Sequence, residues 1–357
     1  MSPQPVPAPG PPTVAFTALD ATFVSDTDGW VLGGIGCTND GSQCPAGIEH
    51  TTDGGFTWRG VRITSQVRCS LGGNYNPGQC VSNLRFADPL DGWAFNGANS
   101  SGLLSTHDGG RTWRPENFGH VDDLKVTGSH AVAAVPSQWC MRASPCPNGQ
   151  LWRSPVGADA WRQVAVPGVL TQPLVVARGS DVWIVNPSPF AAPVGRGAIF
   201  VSTDSGASFQ RRYDPCTSGG ELLAPTTNSY LTLDCAVDNE SAGTWRHTLF
   251  RSLDGGRSWT TVGRVPTASY VESMSAPDRL TVYLAELFGD LIVSRDGGYT
   301  WHTVLNGRRA DPSTGNQTGT NFDFVGFQDA THGLTLAGGT AWFTEDNGGT
   351  WRAVRLP

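Results

Sequence analysis

Carboxylates that lie beside aromatic residues are the part of this sequence most able to do chemistry. Eight such residues fall in irregular segments: Tyr75, Trp139, Phe190, Asp238, Glu240, Glu286, Phe288 and Asp290. Two carboxylates facing across a groove can hydrolyse a glycosidic bond, and aromatic rings bury a large apolar area under a stacked ligand. Surface carboxylates also occur beside aromatic rings without catalysis, so we treat the eight as ligand-binding candidates and assign no catalytic residue. The sequence has no Gly-x-Ser-x-Gly elbow, Gly-rich phosphate loop or His-x-x-x-His motif.

An eight-residue phrase that recurs along the chain predicts the elements that position these residues. Its seven copies are 51–58, 106–113, 154–161, 202–209, 252–259, 294–301 and 344–351. Most copies contain Asp followed by Gly-Gly, which favours a tight hairpin because Gly takes positive φ without steric cost. The copy at 154–161 has lost its Asp but keeps the spacing and the closing Trp161. A period of roughly 40–50 residues with strand-like flanks is typical of a β-propeller.

The phrase resembles the Asp box of the bacterial neuraminidase repeat, S/T-x-D-x-G-x-T/S-W. The box aspartates are Asp53, Asp108, Asp204, Asp254, Asp296 and Asp346. Segments such as Asp28-Gly-Trp30 and Asp91-Gly-Trp93, upstream of the boxes, resemble the photosystem II assembly-factor-like branch of Asp-box propellers. The resemblance implies an all-β fold, a seven-bladed β-propeller of four-stranded antiparallel blades with the boxes as C–D turns. We expect it to span residues 13–357, with structural boxes whose closing Trp residues, such as Trp259, are buried wedges.

The predicted propeller has two unlike faces. In each blade, strands A to D run from the axis outwards, so the A–B and C–D turns share one face. The B–C and D–A connections share the other, which we call the loop face, and the long irregular segments fall there. Loops on a rigid scaffold commonly carry function, so we predict the ligand site on the loop face. The alternative is that these loops only resist proteases.

Carboxylates near the starts of predicted A strands form a second candidate site. They are Asp20, Asp123, Glu221, Glu272 and Asp323, joined by Asn83 in blade two. A ring of carboxylates at the channel mouth could bind Ca²⁺ through oxygen ligands, or a cationic group. The alternative is a solvated ring whose members do not converge. We expect no other cofactor.

The eight cysteines lie in four pairs that are close in sequence. We predict the disulfides Cys37–Cys44, Cys69–Cys80, Cys140–Cys146 and Cys216–Cys235. Zinc is the competing interpretation, but no cluster offers four ligands at the usual spacing. Disulfides favour a secreted or cell-surface protein. Residues 1–12 are Pro-rich, and we expect them to be a linker remnant after a removed signal or lipid anchor.

Charge and hydropathy exclude several classes of partner. The net charge is −7 without a Lys/Arg cluster, which argues against nucleic acid and anionic membrane surfaces. No apolar run approaches the roughly 20 residues of a membrane span, and we expect a monomer.

The predicted function is an extracytoplasmic binding module that recognises a glycan or a protein through its disulfide-pinned loop face. The alternative is a glycoside hydrolase-like enzyme on the same face. We expect no sialidase activity, because the segment Val61-Arg-Ile-Thr64 lacks the Pro of the sialidase Arg-Ile-Pro motif and follows the first box.

Overall fold

The computed structural model describes residues 16–36, 43–63, 68–70, 81–95, 102–116, 120–135, 149–170, 173–186, 197–216, 220–238, 244–287, 289–310, 317–319, 321–354 and 356. Nine predicted residues lie outside this set: Cys37, Tyr75, Cys80, Trp139, Cys140, Cys146, Phe190, Glu240 and Phe288. Only the backbone of Cys69 and Asp238 is described. No helix with the length and apolarity of a membrane-crossing segment occurs among the described residues.

Seven antiparallel sheets form the ring of an all-β propeller, as predicted, and each blade takes its four strands from one continuous segment. Blades one and two contain β1 Phe16–Phe23, β2 Gly29–Ile35, β3 Gln43–Thr51, β4 Arg59–Gly60, the additional β5 Arg68–Ser70, β6 Asn83–Phe86, β7 Gly92–Phe95, β8 Leu104–Thr106 and β9 Arg114–Pro115. Blades three and four contain β10 Asp123–Thr127, β11 His130–Val135, β12 Gln150–Pro155, β13 Arg162–Val164, β14 Leu174–Arg178, β15 Asp181–Asn186, β16 Ala198–Ser202 and β17 Gln210–Arg212.

The remaining blades complete the ring. Blades five and six contain β18 Gly220–Pro225, β19 Leu231–Asp238, β20 Trp245–Ser252, β21 Thr260–Arg264, β22 Val271–Ser275, β23 Val282–Glu286, β24 Leu291–Ser294 and β25 His302–Leu305. A hairpin of β26 Arg308–Ala310 and β27 Gln317–Gly319 precedes blade seven, which contains β28 Phe322–Phe327, β29 Gly333–Ala337, β30 Thr340–Thr344 and β31 Arg352–Val354.

Large aromatic residues on the B strands fill the spaces between blades. Trp30, Trp93, Trp183 and Tyr283 have no exposed surface. The Trp30 ring stacks on Phe86 of blade two, with ring centroids 4.1 Å apart. Two of these residues, Trp30 and Trp93, come from the Gly-Trp segments of the sequence, whereas Trp183 and Tyr283 each follow a Val.

Each intact Asp box uses its carboxylate within its own turn. Asp53 accepts hydrogen bonds from the Thr51 hydroxyl at 2.8 Å, the Thr57 amide at 2.8 Å and the Thr57 hydroxyl at 2.6 Å. The hydrogen bonds from Thr57, and then the one from the Thr51 hydroxyl, lower the pKa of Asp53 from 3.8 to about 2. The same bonds recur in the other five intact boxes, at Asp108, Asp204, Asp254, Asp296 and Asp346. The boxes are therefore structural turns.

Blade three forms even though its box is eroded. Asp159 takes a positive φ of 42° in this turn, and its Oδ2 accepts the Ser105 hydroxyl of blade two at 2.9 Å. The same oxygen lies 2.7 Å from Nε2 of His107. Trp161 packs edge-on against Trp93, with centroids 6.2 Å apart. Contacts to blade two therefore replace the lost box bonds.

The closing box residues are less buried than the sequence predicts. Trp113 and Phe209 are buried, but Trp259 is only half-buried and its Nε1 donates to the Tyr213 carbonyl at 3.0 Å. The prediction that Trp259 is a buried wedge is wrong, because the outer strand that it begins faces solvent on one side.

Packing of blade seven on blade one closes the ring. Ala18, Ala21 and Val31 share a buried cluster with blade-seven residues such as Phe343. The Ala18 amide also donates to the Gly339 carbonyl at 3.0 Å.

Candidate functional site: the loop face and the central cavity

Hydrogen bonds show which turns share a face of the ring. The Gly54 amide of the first box donates to the Thr27 carbonyl of the adjacent A–B turn at 2.9 Å, and Gly109 donates to Leu90 at 3.0 Å. Box turns and A–B turns therefore lie together. The B–C and D–A connections end on the opposite side, the loop face.

The inner strands enclose a central cavity of about 980 Å³. Four of the five carboxylates predicted near A-strand starts line it: Asp20, Asp123, Glu272 and Asp323. Asn83 lines it as well. Glu221 is buried elsewhere, with 2% of its surface exposed.

Two of these carboxylates, Asp20 and Asp123, brace neighbouring blades. Asp20 Oδ2 accepts the Leu84 amide at 2.8 Å and the Arg85 guanidinium at 2.6 Å. Asp123 Oδ2 accepts the Val175 amide at 2.9 Å, and its Oδ1 lies 2.5 Å from the Lys125 ammonium. Each side chain thus ties its inner strand to the next blade and is neutralised by a cation.

The other two carboxylates, Glu272 and Asp323, make the cavity wall formed by blades six and seven acidic. They lie on the inner strands of blades six and seven, and each is the second residue of its strand. Neither has a hydrogen bond or ion pair within the described part of the chain. Although Asp323 is exposed to the cavity, partial desolvation by the surrounding strands raises its pKa from 3.8 to about 6. Glu272 is exposed in the same way, and partial desolvation, together with the charge of Asp323, raises its pKa. This wall can hold a cationic group or a proton.

A buried ion pair underlies the loop face in blade five. His247 Nδ1 on β20 lies 2.7 Å from Asp234 Oδ2 on β19, and both side chains are at most 1% exposed. His247 Nε2 donates to the Ser269 carbonyl at 2.9 Å. Burial alone would lower the pKa of His247, but the hydrogen bond and charge of Asp234 outweigh it and raise the pKa.

His247 holds the segment around Ser269 through the Ser269 carbonyl, and the next residue, Tyr270, belongs to an aromatic pair. Trp245 and Tyr270 meet edge-on with ring centroids 5.0 Å apart, and both are half-buried. The Trp245 amide donates to the Ala268 carbonyl at 2.9 Å. The buried ion pair therefore positions an aromatic surface at the loop end of blades five and six.

Glu286 and Asp290 brace the B–C connection of blade six. Glu286 is 1% exposed, and its Oε2 accepts the Asp290 amide at 3.1 Å. Asp290 accepts the Gly307 amide at 3.1 Å and the Thr303 hydroxyl at 3.3 Å. Glu286 is buried and Asp290 is half-buried, and a direct contact with a ligand stays a prediction for both.

One predicted disulfide lies within the described residues. Cys216 and Cys235 are bonded, with their Cα atoms 5.4 Å apart. The bond joins the segment before β18 to strand β19 at the loop end of blade five. Cys44 is also disulfide-bonded, and the register of β3 and β5 sets its backbone opposite that of Cys69. The pairing of the other six cysteines stays a prediction.

Comparisons with known proteins agree with this geometry. A family model described as BNR/Asp-box repeat matches residues 292–303. The protein is a seven-bladed β-propeller, and the matched segment contains one of its box turns, 294–301. Among curated proteins, no sequence matches the chain.

Solved structures similar to this propeller belong to proteins of different kinds, YCF48 proteins and a GH74 enzyme. YCF48 bound to D1 peptide is 17% identical with a TM-score of 0.56, over 93% of this chain and 94% of that one. YCF48 from Cyanidioschyzon merolae is 15% identical with a TM-score of 0.57, over 95% and 98%. An ancestral GH74 enzyme is 13% identical with a TM-score of 0.58, over 95% of this chain and 45% of that one. At these identities the likeness shows the fold alone.

Sequence reasoning missed the polar residues buried in blades four and five of the propeller. Asp214, Asp234 and His247 are all at most 4% exposed. A signal was present for Asp234, which interrupts the apolar segment Leu231-Thr-Leu-Asp-Cys-Ala236. A charged residue at an inward position of such a strand needs a buried partner.

Proposed function

We propose that the protein is an extracytoplasmic binding module whose loop face and cavity mouth take a protein segment that carries a positive charge. The observation behind this proposal is the unequal distribution of charge around the wall of the central cavity. Asp20 and Asp123 are neutralised by cations, whereas Glu272 and Asp323 are open to the cavity.

The size of the cavity agrees with this proposal. Its volume of about 980 Å³ lies near the upper end of the roughly 300–1,000 Å³ found for ligand pockets. A Lys or Arg side chain of an inserted segment could reach Glu272 and Asp323, for which the described residues provide no partner. A partly desolvated charge pair is stronger than one in water.

Two further observations support the proposal. The disulfide Cys216–Cys235 favours an oxidising compartment. A structurally similar protein is described as bound to a peptide.

A glycan ligand would instead use the half-buried Trp245–Tyr270 pair, since aromatic rings stack on sugars.

The experiment compares two double variants that remove the same charge from opposite faces. Glu272→Gln/Asp323→Asn removes the open carboxylates of the cavity. The control, Asp26→Asn/Glu345→Gln, removes two exposed carboxylates on the face that carries the Asp-box turns, which we call the box face. The probe is a fluorescent pentalysine peptide titrated by anisotropy at low salt, with a pentaglutamate peptide as the negative probe.

We expect the cavity variant to weaken pentalysine binding at least about tenfold, or roughly 1.4 kcal/mol, and the box-face control to bind as wild type does. Equal loss in both variants would mean that only the net charge of −7 attracts the peptide.

Glycoside hydrolysis is the second candidate function, and the same two carboxylates favour it. A general acid needs a raised pKa, and the pKa of Asp323 is raised to about 6. A reducing-end assay on a panel of oligosaccharides tests this. Turnover that disappears in Asp323→Asn would replace the binding-module proposal with a hydrolase.

A further inference from the structure

A second acidic site lies away from the cavity, between blades four and five at the loop end. Asp214 follows β17 of blade four, and Glu221 lies on β18 of blade five. Their exposed fractions are 4% and 2%. A carboxylate oxygen of one lies within 4.8 Å of a carboxylate oxygen of the other. Two acidic groups this close and this buried need a counter-charge or a proton.

Carboxylate oxygens of both residues lie close to the same glycine, Gly197. Asp214 Oδ1 accepts the Cys216 amide at 2.9 Å. Among the residues that the structure describes, no donor hydrogen-bonds to Oε1 or Oε2 of Glu221, although both are buried. A buried carboxylate without a donor is costly, so Glu221 needs a proton shared with Asp214 or a bound cation.

Gly197 marks the point on which these oxygens converge. A Cβ atom at Gly197 would lie 2.4 Å from Asp214 Oδ2, 2.8 Å from Glu221 Oε1 and 3.0 Å from the Asn186 carbonyl oxygen. Any residue other than Gly would fill this space. Three oxygens from three chain segments therefore converge on the side of Gly197 where a side chain would otherwise lie.

We propose that Asp214, Glu221 and the Asn186 carbonyl form a Ca²⁺ site at the interface of blades four and five. All three donors are hard oxygen ligands, which Ca²⁺ prefers at 2.3–2.6 Å. The nearby sulfur of Cys216 is in a disulfide and offers no thiolate, so the donor set does not suit Zn²⁺. Water molecules complete the six to eight ligands that Ca²⁺ takes.

The position of the site gives the ion a mechanical role. Asn186 ends β15 and Gly197 precedes β16, so these residues flank the B–C connection of blade four. Glu221 lies opposite Cys235 in the register of β18 and β19. A bound ion would therefore fix the end of that connection against the strand pinned by the disulfide Cys216–Cys235. This proposal does not depend on the cavity ligand.

The test titrates the full chain, stripped with EDTA and dialysed, with CaCl₂ by isothermal calorimetry, and MgCl₂ in parallel. We expect one Ca²⁺ per chain, Mg²⁺ binding at least about tenfold weaker because Mg²⁺ demands a tighter octahedral shell, and a thermal midpoint that rises with CaCl₂. Absence of both the heat and the midpoint shift at millimolar CaCl₂ would overturn the proposal, whether or not any variant folds.

Variants then locate the ion. Glu221→Gln keeps the shape but removes a charge, and Gly197→Ala fills the space, so each should weaken Ca²⁺ binding at least about tenfold. Glu49→Gln is the matched control. Glu49 is also a buried carboxylate, with 7% exposure, but it lies in blade one. Unchanged binding in both site variants, or equal loss in the control, would refute the assignment.

Discussion

Replacing His247 by Ala should destabilise the propeller far more than the same change at His332. Both histidines place Nδ1 2.7 Å from a carboxylate oxygen, but the His247–Asp234 pair is 0% and 1% exposed, while the His332–Asp329 pair is 39% and 38% exposed. The two pairs therefore differ chiefly in burial. Removing one partner of a buried pair costs about 3–5 kcal/mol because the other charge stays buried. An exposed pair contributes about 0–1 kcal/mol.

The structure adds a reason for a cost at the upper end of this range. Asp234 Oδ1 has no hydrogen-bond partner, so His247→Ala leaves both oxygens of Asp234 without one among the described residues. The same change also frees the Ser269 carbonyl that supports the Trp245–Tyr270 pair. Urea denaturation followed by circular dichroism measures the free energy of unfolding of each variant, with the slope checked for a common transition.

The pH dependence provides a second readout. The pKa of His247 is raised in the folded state, so the stability from its protonation is fully present below the unfolded value of about 6.5 and is lost as pH rises through the folded value. The difference between wild type and His247→Ala should be larger near pH 6 than near pH 9. A loss below about 1 kcal/mol, or a difference that grows with pH, would refute this account of the buried pair.

Two other perturbations test the packing and the loop face. Trp93→Ala should cost about 3–5 kcal/mol, because Trp93 has no exposed surface, and Trp259→Ala about 1–2 kcal/mol, because Trp259 is half-buried with one hydrogen bond. Equal losses in urea denaturation would contradict the assignment of the inter-blade core. Reduction of Cys216–Cys235, with its sequence separation of 19, should lower stability by about 3 kcal/mol and weaken ligand binding without loss of the strand signal in circular dichroism. Collapse of that signal would make the disulfide a staple of the whole fold.

The blade count could be predicted because the box phrase is a local device. The Asp53 turn is closed by residues two and four positions away, so its geometry is present in the sequence itself. The depth of each Trp could not be predicted in this way. Trp30 is buried because Phe86, from another blade, covers it, whereas the outer strand begun by Trp259 is open to solvent.

The candidate site was predictable in position but not in electrostatics. Asp20 lies in the middle of β1 and Glu272 near the start of β22, and both line the cavity. The sequence does not reveal that Arg85, 65 residues along the chain, pairs with Asp20. Nor does it reveal that Glu272 has no such cation among the described residues. Contacts across the ring decide which carboxylates stay open, and they depend on the register between blades.

The most direct test of the central claim is a photo-cross-linking map of the bound peptide. A pentalysine peptide with a benzophenone group is irradiated on the wild-type protein, and the cross-linked residues are found by mass spectrometry. The account predicts cross-links near Tyr270, Glu272 and Asp323 that unlabelled pentalysine competes away. Cross-links confined to the Asp-box turns on the opposite face would contradict it.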